Sequence, residues 1–412
     1  MTHGKSRVGA DSALPSLMLF WALIAPAPLL HYIGIKGLHS TVLTLVTATI
    51  IGIATHRRIR VSTLVASALL MAISLGNVVH WEDIRYLFYC LFFLCAVALV
   101  ELSGPLGIQR FCVLATRLMM ILLIGAVASF LIARVGISPL FTIANPDGQD
   151  YYFFYTGFTN SLNDNFIRAS AIYDEPGAFS MYICFIAAIR NLLGQKRRTT
   201  WIMLGLGFIT FSLAHLIYVM CHFLAEQSSK TRIIVLLAAL ASSLFILVTS
   251  IASDTDIVLL SRLALSEDTN FFAGDNRSFQ LFNAWSNIFD QPAAVFFGLD
   301  RTCVFSQMVC QDRFGAMGEN LLSPLAFGGL LSEFPYYAAI ILFLISPLMG
   351  RRYIVVFGVG LLFLQRPYVM GFSYSLIAVM LLALTFQRKV RFARRRSTDT
   401  AARLAHGTLR EV

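Results

Sequence analysis

Residues 168–179 read Arg-Ala-Ser-Ala-Ile-Tyr-Asp-Glu-Pro-Gly-Ala-Phe, which puts one arginine and two carboxylates at the start of an apolar run. Ionisable groups at the edge of the hydrocarbon are costly and tend to mark sites for substrates or ions. Asp174, Glu175 and Pro176 are also typical of a helix start, where an acidic cap and a first-turn proline are favoured. The segment therefore predicts a membrane helix beginning near residue 175, preceded by either a catalytic turn or a simple cap.

The chain around this segment has the composition of a polytopic membrane protein. Apolar residues make up 57% and charged residues 13% of the sequence, and the mean hydropathy is +0.73. A soluble domain carries about 25% charged residues. Apolar runs of about 20 residues, each long enough to cross roughly 30 Å of hydrocarbon, recur along nearly the whole chain. We therefore expect a single membrane domain, residues 1–412, of the all-α class.

Basic residues cluster on alternate connections between these runs, and this asymmetry predicts the orientation. Two of the opposite connections, 137–176 and 253–320, hold fourteen Asp and Glu, five Arg and no Lys. By the positive-inside rule, these two long loops face outward and the basic clusters face the cytoplasm. The net charge of +10 therefore does not indicate nucleic-acid binding. The basic tail 388–412 is expected to lie against anionic lipid headgroups. The other clusters are Lys5 and Arg7, Arg57 to Arg60, Arg110 and Arg117, Lys196 to Arg198, Lys230 and Arg232, and Arg351 and Arg352.

Between these anchors the sequence predicts about twelve membrane helices, with both termini in the cytoplasm. Segment 201–226 has basic residues at both ends, so we expect a hairpin of two short helices broken around Phe211 and Ser212, or a re-entrant pair. The first apolar run is too long for a cleaved signal segment and is expected to remain as an anchor. Apart from the two helices of this hairpin, spans are expected at 14–35, 38–55, 61–79, 85–102, 112–135, 175–194, 231–252, 323–349, 353–369 and 371–387.

The second outward loop, 253–320, contains one segment with helical periodicity. Residues Arg277 to Phe289 carry an apolar stripe at helical spacing, which predicts an amphipathic helix lying on the outer membrane surface. Turn signals follow at Asp290 to Pro292 and at Gly298. A loop of this length in a compact protein is usually functional or disordered.

The two outward loops resemble the signatures of Wzy-type polysaccharide polymerases and O-antigen ligases. The first signature is an arginine followed by Ile-Tyr-x-Glu-Pro-Gly at the start of a span, matched by Arg168 and residues 172–177. The second begins with a helix that carries an arginine and, eight residues later, a tryptophan, matched by Arg277 and Trp285. It continues with a proline, Gly298, Gly318-Glu-Asn320 and Gly328-Gly329.

This resemblance implies a GT-C-like glycosyltransferase on the outer face of the bacterial cytoplasmic membrane, which moves a glycan from undecaprenyl diphosphate to a sugar hydroxyl. Its partners would be undecaprenyl-diphosphate-linked oligosaccharide, membrane lipid and, by analogy, a chain-length regulator. No cofactor, metal or nucleic acid is expected. Arginine binds phosphate oxygens two at a time, so Arg168 and Arg277 are the candidate diphosphate ligands and Arg366 is a candidate helper. Tyr173 and Asn320 lie within the matched motifs and are candidates for substrate binding.

Two carboxylates, Glu319 and Glu175, are candidates for the base that takes the acceptor proton. In the ligase branch of the family a histidine precedes the asparagine at the exit of the second loop. This chain has Glu319 there and no histidine in either outward loop. The departure favours a polymerase over a ligase, with Glu319 as base or acceptor-positioning group and Glu175 as the competing carboxylate. Direct displacement with one base predicts inversion at the anomeric carbon, whereas a pair of carboxylates predicts a different scheme.

Each of these residues also has a purely structural interpretation. Arg168 could pair with Asp174 or Glu175 at the surface, where an ion pair contributes little. Arg277 could anchor its helix to lipid headgroups, and Glu319 could cap the helix that follows it. The resemblance favours the functional interpretation of each.

Other residues that could have formed a functional site are given a structural interpretation instead. Asp254 and Asp256 have the spacing of the metal motif of nucleotide-sugar transferases, but no soluble nucleotide-binding domain fits in this chain. His215 and His222 lie on one face of the hairpin and are expected to be buried packing residues. The aromatic run Tyr151 to Tyr155 is assigned to the interfacial belt.

A transporter or flippase of lipid-linked sugars is the alternative from a different class, because about twelve spans suit many carriers. Carriers often show repeated halves and broken helices around a midplane site. The sequence has no internal repeat, and its charged residues were assigned to the outward loops rather than to the spans. An O-acyltransferase, the third option, would need a histidine near an acyl donor.

Cys303 and Cys310 share the second outward loop, and an oxidising periplasm would allow a disulfide between them. We expect both thiols to resist maleimide labelling in intact cells until a reductant is added, because the bond blocks both sulfurs. Serine at either position should make the other thiol reactive without reductant. A Cα separation above about 7 Å would forbid the bond, and labelling of the unreduced parent protein would show that it is absent.

Overall fold

The protein is mostly helical, and its apolar helices indicate a membrane-embedded chain. In the residues that a computed structural model describes, four helices are long and apolar enough to cross a membrane: Val61–Trp81, Cys90–Arg134, Pro176–Leu193 and Ser323–Leu344. The larger count of about twelve spans stays a prediction, and the span expected at 231–252 lies outside the described residues. The described residues are 13–28, 30, 45–49, 51–52, 59–143, 150–163, 166–227, 276–299, 312–315, 317, 320–366 and 371–386.

The principal helices lie close to the predicted spans, since hydropathy and local start signals determine where each begins. Proline stands in the first turn of the helices that begin at Pro176, Pro292 and Ser323, a position where its missing N–H costs nothing. In chain order the helices are α1 (Ala13–Ile24), α2 (Val61–Trp81), α3 (Leu87–Arg134), α4 (Pro176–Leu193), α5 (Arg197–Leu206), α6 (Leu213–Glu226), α7 (Asn276–Phe289), α8 (Pro292–Phe297), α9 (Ser323–Leu344), α10 (Ile354–Gln365) and α11 (Phe372–Phe386).

The loop expected between spans 85–102 and 112–135 is wrong. The chain is helical throughout α3 except at Gly104, where φ is 62° and ψ is −174°. This backbone region is essentially restricted to glycine, and Pro105 follows without an N–H to donate into the preceding turn. A 45-residue apolar helix is about twice as long as the hydrocarbon is thick. The break at Gly104 therefore divides α3 into two segments without a connecting loop.

The first outward loop folds into a sheet, so the all-α prediction is wrong for this part of the chain. Its strands pair antiparallel in the order β1-β2-β3-β4. Aromatic side chains, which favour strands, fill β2, and a two-residue turn joins the paired residues Phe154 and Gly157. The sheet packs on α3, and β4 also packs on α4. The strands are β1 (Phe141–Ile143), β2 (Tyr151–Phe154), β3 (Gly157–Asn163) and β4 (Phe166–Ala171).

The predicted break of segment 201–226 into two short helices is confirmed. A 3-10 turn, Gly207–Thr210, follows α5, and Phe211 then takes a left-handed conformation with φ of 47° before α6 begins. The ion pair between Arg197 and Glu226 joins the two ends of the hairpin, so α6 returns to the side from which α5 started. His215 and His222 are both fully buried, as predicted.

Helix α9 is broken at Gly329, where φ is 62° and ψ is 179°. The break receives the end of α8: a Cβ at Gly329 would lie 2.2 Å from the carbonyl oxygen of Phe296. Next to this contact, the Leu299 N–H donates to the Ala326 carbonyl at 2.8 Å. The second outward loop is therefore attached to the membrane helix through backbone contacts that only a glycine permits.

Gly329→Ala should destabilise the protein by at least about 1–2 kcal/mol, because it imposes a strained backbone and a clash between two main chains. Gly205→Ala, in α5, is the matched control: a Cβ there meets nothing within 4 Å, and the change should be neutral or slightly stabilising. Thermal unfolding of the two purified variants in detergent measures the difference. Equal melting temperatures would contradict the proposed contact.

Candidate functional site

The turn between β4 and α4 positions the residues of the first signature. Ala171 ends β4 with a positive φ of 51°, a conformation that a residue with a Cβ adopts rarely. The Tyr173 N–H donates to the Ser170 carbonyl at 3.0 Å, and the chain enters α4 through Glu175 in an extended conformation. The sharp turn brings the side chains after β4 directly onto the first turn of a buried helix.

Glu175 occupies the cap position of α4, but its side chain does not act as the cap. No side-chain hydrogen bond caps this helix. The carboxylate of Glu175 instead pairs with Arg366, with 2.5 Å between Oε2 and Nη2. The Glu175 N–H is taken by the carboxylate of Asp174 at 2.9 Å. The interpretation of Glu175 as a simple helix cap is therefore wrong.

Arg366 approaches this turn from the end of α10. Its side chain is 5% exposed, while that of Glu175 is 49% exposed, so the guanidinium is buried and the carboxylate faces the solvent side. A Cβ at Gly177 would come within 3.1 Å of Nη1 of Arg366, which accounts for the glycine after Pro176. The structure thus brings together Glu175 and Arg366, two candidates that the sequence left unconnected.

Arg168 projects from β4 toward the tip of the helical hairpin. Its Nε–H donates to the carbonyl of Thr210 at 2.9 Å, in a half-buried setting. The contact ties the outward sheet to the turn between α5 and α6. Arg168 therefore has a structural partner, and its role in diphosphate binding stays a prediction.

Tyr173 is a packing residue in this structure. Its side chain is 1% exposed, and its hydroxyl donates to the carbonyl of Leu23 at 3.0 Å. Its ring stacks on Tyr182, with 4.5 Å between the ring centroids. Burial raises the pKa of Tyr173 well above its usual value, so the phenol keeps its proton. This placement is at odds with direct substrate binding and gives Tyr173 the task of fixing the turn.

Asn320 closes the start of α9. Its side-chain oxygen accepts from the Leu322 N–H at 2.8 Å, and its amide donates to the carbonyl of Met317. The residue is 5% exposed. These bonds satisfy the backbone in front of the helix, which is a structural role for a residue predicted to bind substrate.

The remaining candidates of the second loop are placed only in part. Arg277 lies in the first turn of α7, and its side chain is outside the described residues. The predicted helix is confirmed: α7 buries Ala284 and Ile288 and leaves Trp285 55% exposed, beside exposed Phe282 and Phe289. Glu319, Cys303 and Cys310 lie outside the described residues, so their predicted roles are untested.

The described residues contain no cluster of three or more His, Cys, Asp or Glu that could hold a metal ion. Asp254 and Asp256, which carry the metal-like spacing, lie outside those residues. The expectation of a metal-independent reaction therefore remains a prediction.

One buried carboxylate, Glu333, is not among the residues predicted from the sequence. Glu333 lies within α9 and is 1% exposed, and Asn77 of α2 is fully buried beside the same helix. The signal was visible, because Glu333 is an ionisable residue in the middle of an apolar span.

A double-mutant cycle tests the pairing of Glu175 with Arg366. Glu175→Gln and Arg366→Gln should show a coupling free energy of about 0.5–1 kcal/mol, limited by the exposure of Glu175. The same cycle with Arg117→Gln, an exposed arginine on α3, should be additive. Denaturant unfolding of the purified variants measures both couplings. A coupling no larger than that of the control would show that the pair does not form.

Comparison with known proteins adds no relative. No protein-family model matches the chain. No curated protein and no solved structure matches it either. The resemblance noted in the sequence therefore stays a prediction, and the case for a function rests on the residues themselves.

Proposed function

We propose that this protein is a membrane glycosyltransferase that joins undecaprenyl-diphosphate-linked oligosaccharide repeats into a polysaccharide. The reaction takes place on the outer face of the bacterial cytoplasmic membrane. The growing chain on its lipid diphosphate is the donor, and a hydroxyl of a single lipid-linked repeat is the acceptor. The protein is a polymerase in this proposal, and both termini face the cytoplasm.

The pairing of buried Arg366 with half-exposed Glu175 is the observation that supports the proposal most. It places a fixed positive charge and an accessible carboxylate at the start of a buried helix, in the loop that the charge pattern assigns to the outer face. The N-terminal turn of α4 adds the positive end of a helix dipole to the same place. An anionic diphosphate is the chemical group that such a site suits.

The proposed chemistry is a direct displacement. The acceptor oxygen bonds to the anomeric carbon as the bond from that carbon to the diphosphate oxygen breaks. The diphosphate leaves with the electron pair, and its charge is stabilised by Arg168 and Arg277, with Arg366 assisting. The acceptor proton passes to a carboxylate, with Glu319 as the preferred base and Glu175 as its competitor. One displacement inverts the anomeric configuration.

A carrier of lipid-linked sugars is the second candidate, and a specific observation favours it. Helices α3 and α9 are broken by glycines of the same backbone conformation, and Glu333 is buried in α9. Broken helices and intramembrane carboxylates are typical of secondary transporters. The expectation that charged residues collect only in the outward loops does not hold for Glu333.

Deletion of the gene, followed by mass spectrometry of extracted lipid-linked glycans, tests the proposal. We expect single outward-facing repeats to accumulate and polymer to be lost. Complementation with Arg168→Ala, Arg277→Ala or Glu319→Gln should leave polymer reduced about 100-fold or more, because each removes a charge-stabilising or proton-accepting group. Arg117→Ala is the control and should restore polymer.

Two other outcomes would contradict the polymerase. If lipid-linked polymer still forms but does not reach its final acceptor, the protein is a ligase. If single repeats are trapped on the cytoplasmic face, as judged by their protection from an added glycosidase in sealed vesicles, the protein is a flippase.

A further inference from the structure

Glu333 is a buried carboxylate without a hydrogen-bonding partner for Oε1 among the described residues. It lies in α9, one turn after the break at Gly329, and is 1% exposed. Helix α9 has the length and hydropathy of a membrane span. An ionisable side chain in this setting is costly and is usually compensated by a partner.

A second unpaired oxygen lies next to the same stretch of α9. Asn77, fully buried in α2, donates from Nδ2 to the carbonyl of Gly328 and to the hydroxyl of Ser332 at 2.8 Å. Its Oδ1 has no partner among the described residues. Gly328 is also adjacent to Glu333, since a Cβ there would lie 2.9 Å from Oε1. Two acceptor oxygens without donors therefore flank residues 328–332.

The groups that face Glu333 do not neutralise it. Cys90 of α3, together with Tyr336 and Tyr337 of α9, are the ionisable neighbours described around its carboxyl group. None of these side chains carries a positive charge at any pH. No described salt bridge involves Glu333.

A small cavity adjoins the carboxylate. Its volume is about 40 Å³, and its lining combines apolar side chains with those of Ser332, Glu333, Tyr336, Tyr374 and Ser375. Asn77 is not a lining residue. This space has room for an ion or one to two water molecules. Among its lining residues, Ser332 offers a hydroxyl oxygen and Glu333 offers carboxylate oxygens.

We propose that Glu333 and Ser332, with Asn77 holding the serine hydroxyl in place, form an intramembrane binding site for a monovalent metal cation such as Na⁺. Hard cations bind oxygen ligands, and a single carboxylate balances one positive charge. A proton shared directly between Glu333 and Asn77 would give both oxygens a partner, yet neither oxygen has one within hydrogen-bonding distance. A cation in the cavity would give the carboxylate of Glu333 a partner.

The site is linked to the outward part of the protein through the broken helix. Gly329 separates Gly328 from Ser332 and Glu333, and it is the residue on which α8 docks. Occupation of the site would therefore stabilise the contact between α9 and the second outward loop. The proposal does not depend on glycosyl transfer, because the site lies in the spans and shares no residue with the proposed reaction.

Thermal unfolding of the full-length protein in nanodiscs, with Na⁺ exchanged for choline at constant ionic strength, tests the site. We expect the melting temperature to rise saturably with Na⁺, since a ligand that binds only the folded state stabilises it. Glu333→Gln should abolish the rise, and Asn77→Ala should shift it to higher Na⁺. Glu82→Gln, an exposed carboxylate next to the end of α2, should leave it unchanged.

Binding of radiolabelled sodium to the purified wild-type protein gives a second measurement that does not need a stable variant. We expect saturable binding of about one ion per chain, displaced by unlabelled Na⁺ and not by choline. Absence of saturable binding, or a melting temperature that depends on pH but not on Na⁺, would overturn the proposal. In the latter case Glu333 would be a neutral acid without a metal.

Discussion

The structure depends on the burial of α4, against which α3, α6 and β4 pack. Fifteen of the eighteen residues of this helix are buried. Two arginines lie at the ends of this helix: Arg366 pairs with Glu175 in front of the first turn, and Arg190 is buried in the last turn. Their ion pair and hydrogen bonds join α4 to elements that are distant in the chain.

Arg190 shows how such a guanidinium joins separate elements. Its Nε–H donates to Thr200 of α5 at 3.0 Å, Nη1 donates to Thr116 of α3 at 2.8 Å, and Nη2 donates to the carbonyl of Lys196 at 3.1 Å. Arg168 does the same between β4 and the hairpin tip. The planar, permanently charged group can bind several oxygens in different directions. The same property makes an arginine suited to bind phosphate oxygens, which is the role proposed for Arg168.

The spans are less uniform than their hydropathy suggests. Gly104 and Gly329 interrupt α3 and α9 with nearly identical dihedral angles, and an Asn-Ser-Glu cluster lies beside the second break. Irregular backbone at membrane depth is tolerated where protein groups satisfy it. Asn77 and Leu299 do this at α9 by donating to the carbonyls of Gly328 and Ala326. The break thus connects a buried polar cluster to the outward loop.

The sequence alone determined the membrane class, the start of α4 at Pro176, the hairpin broken at Phe211 and the helical segment after Arg277. These features are carried by hydropathy, by periodicity and by residues adjacent in the chain. Only the tertiary structure decided that Glu175 binds Arg366, that Tyr173 and Asn320 serve packing and capping, and that Glu333 is buried without a described counter-ion. It also decided that β1 to β4 form a sheet and that α3 has no internal loop. Such outcomes depend on partners distant in sequence, and local residue patterns contain no information about which distant side chain fills a given space.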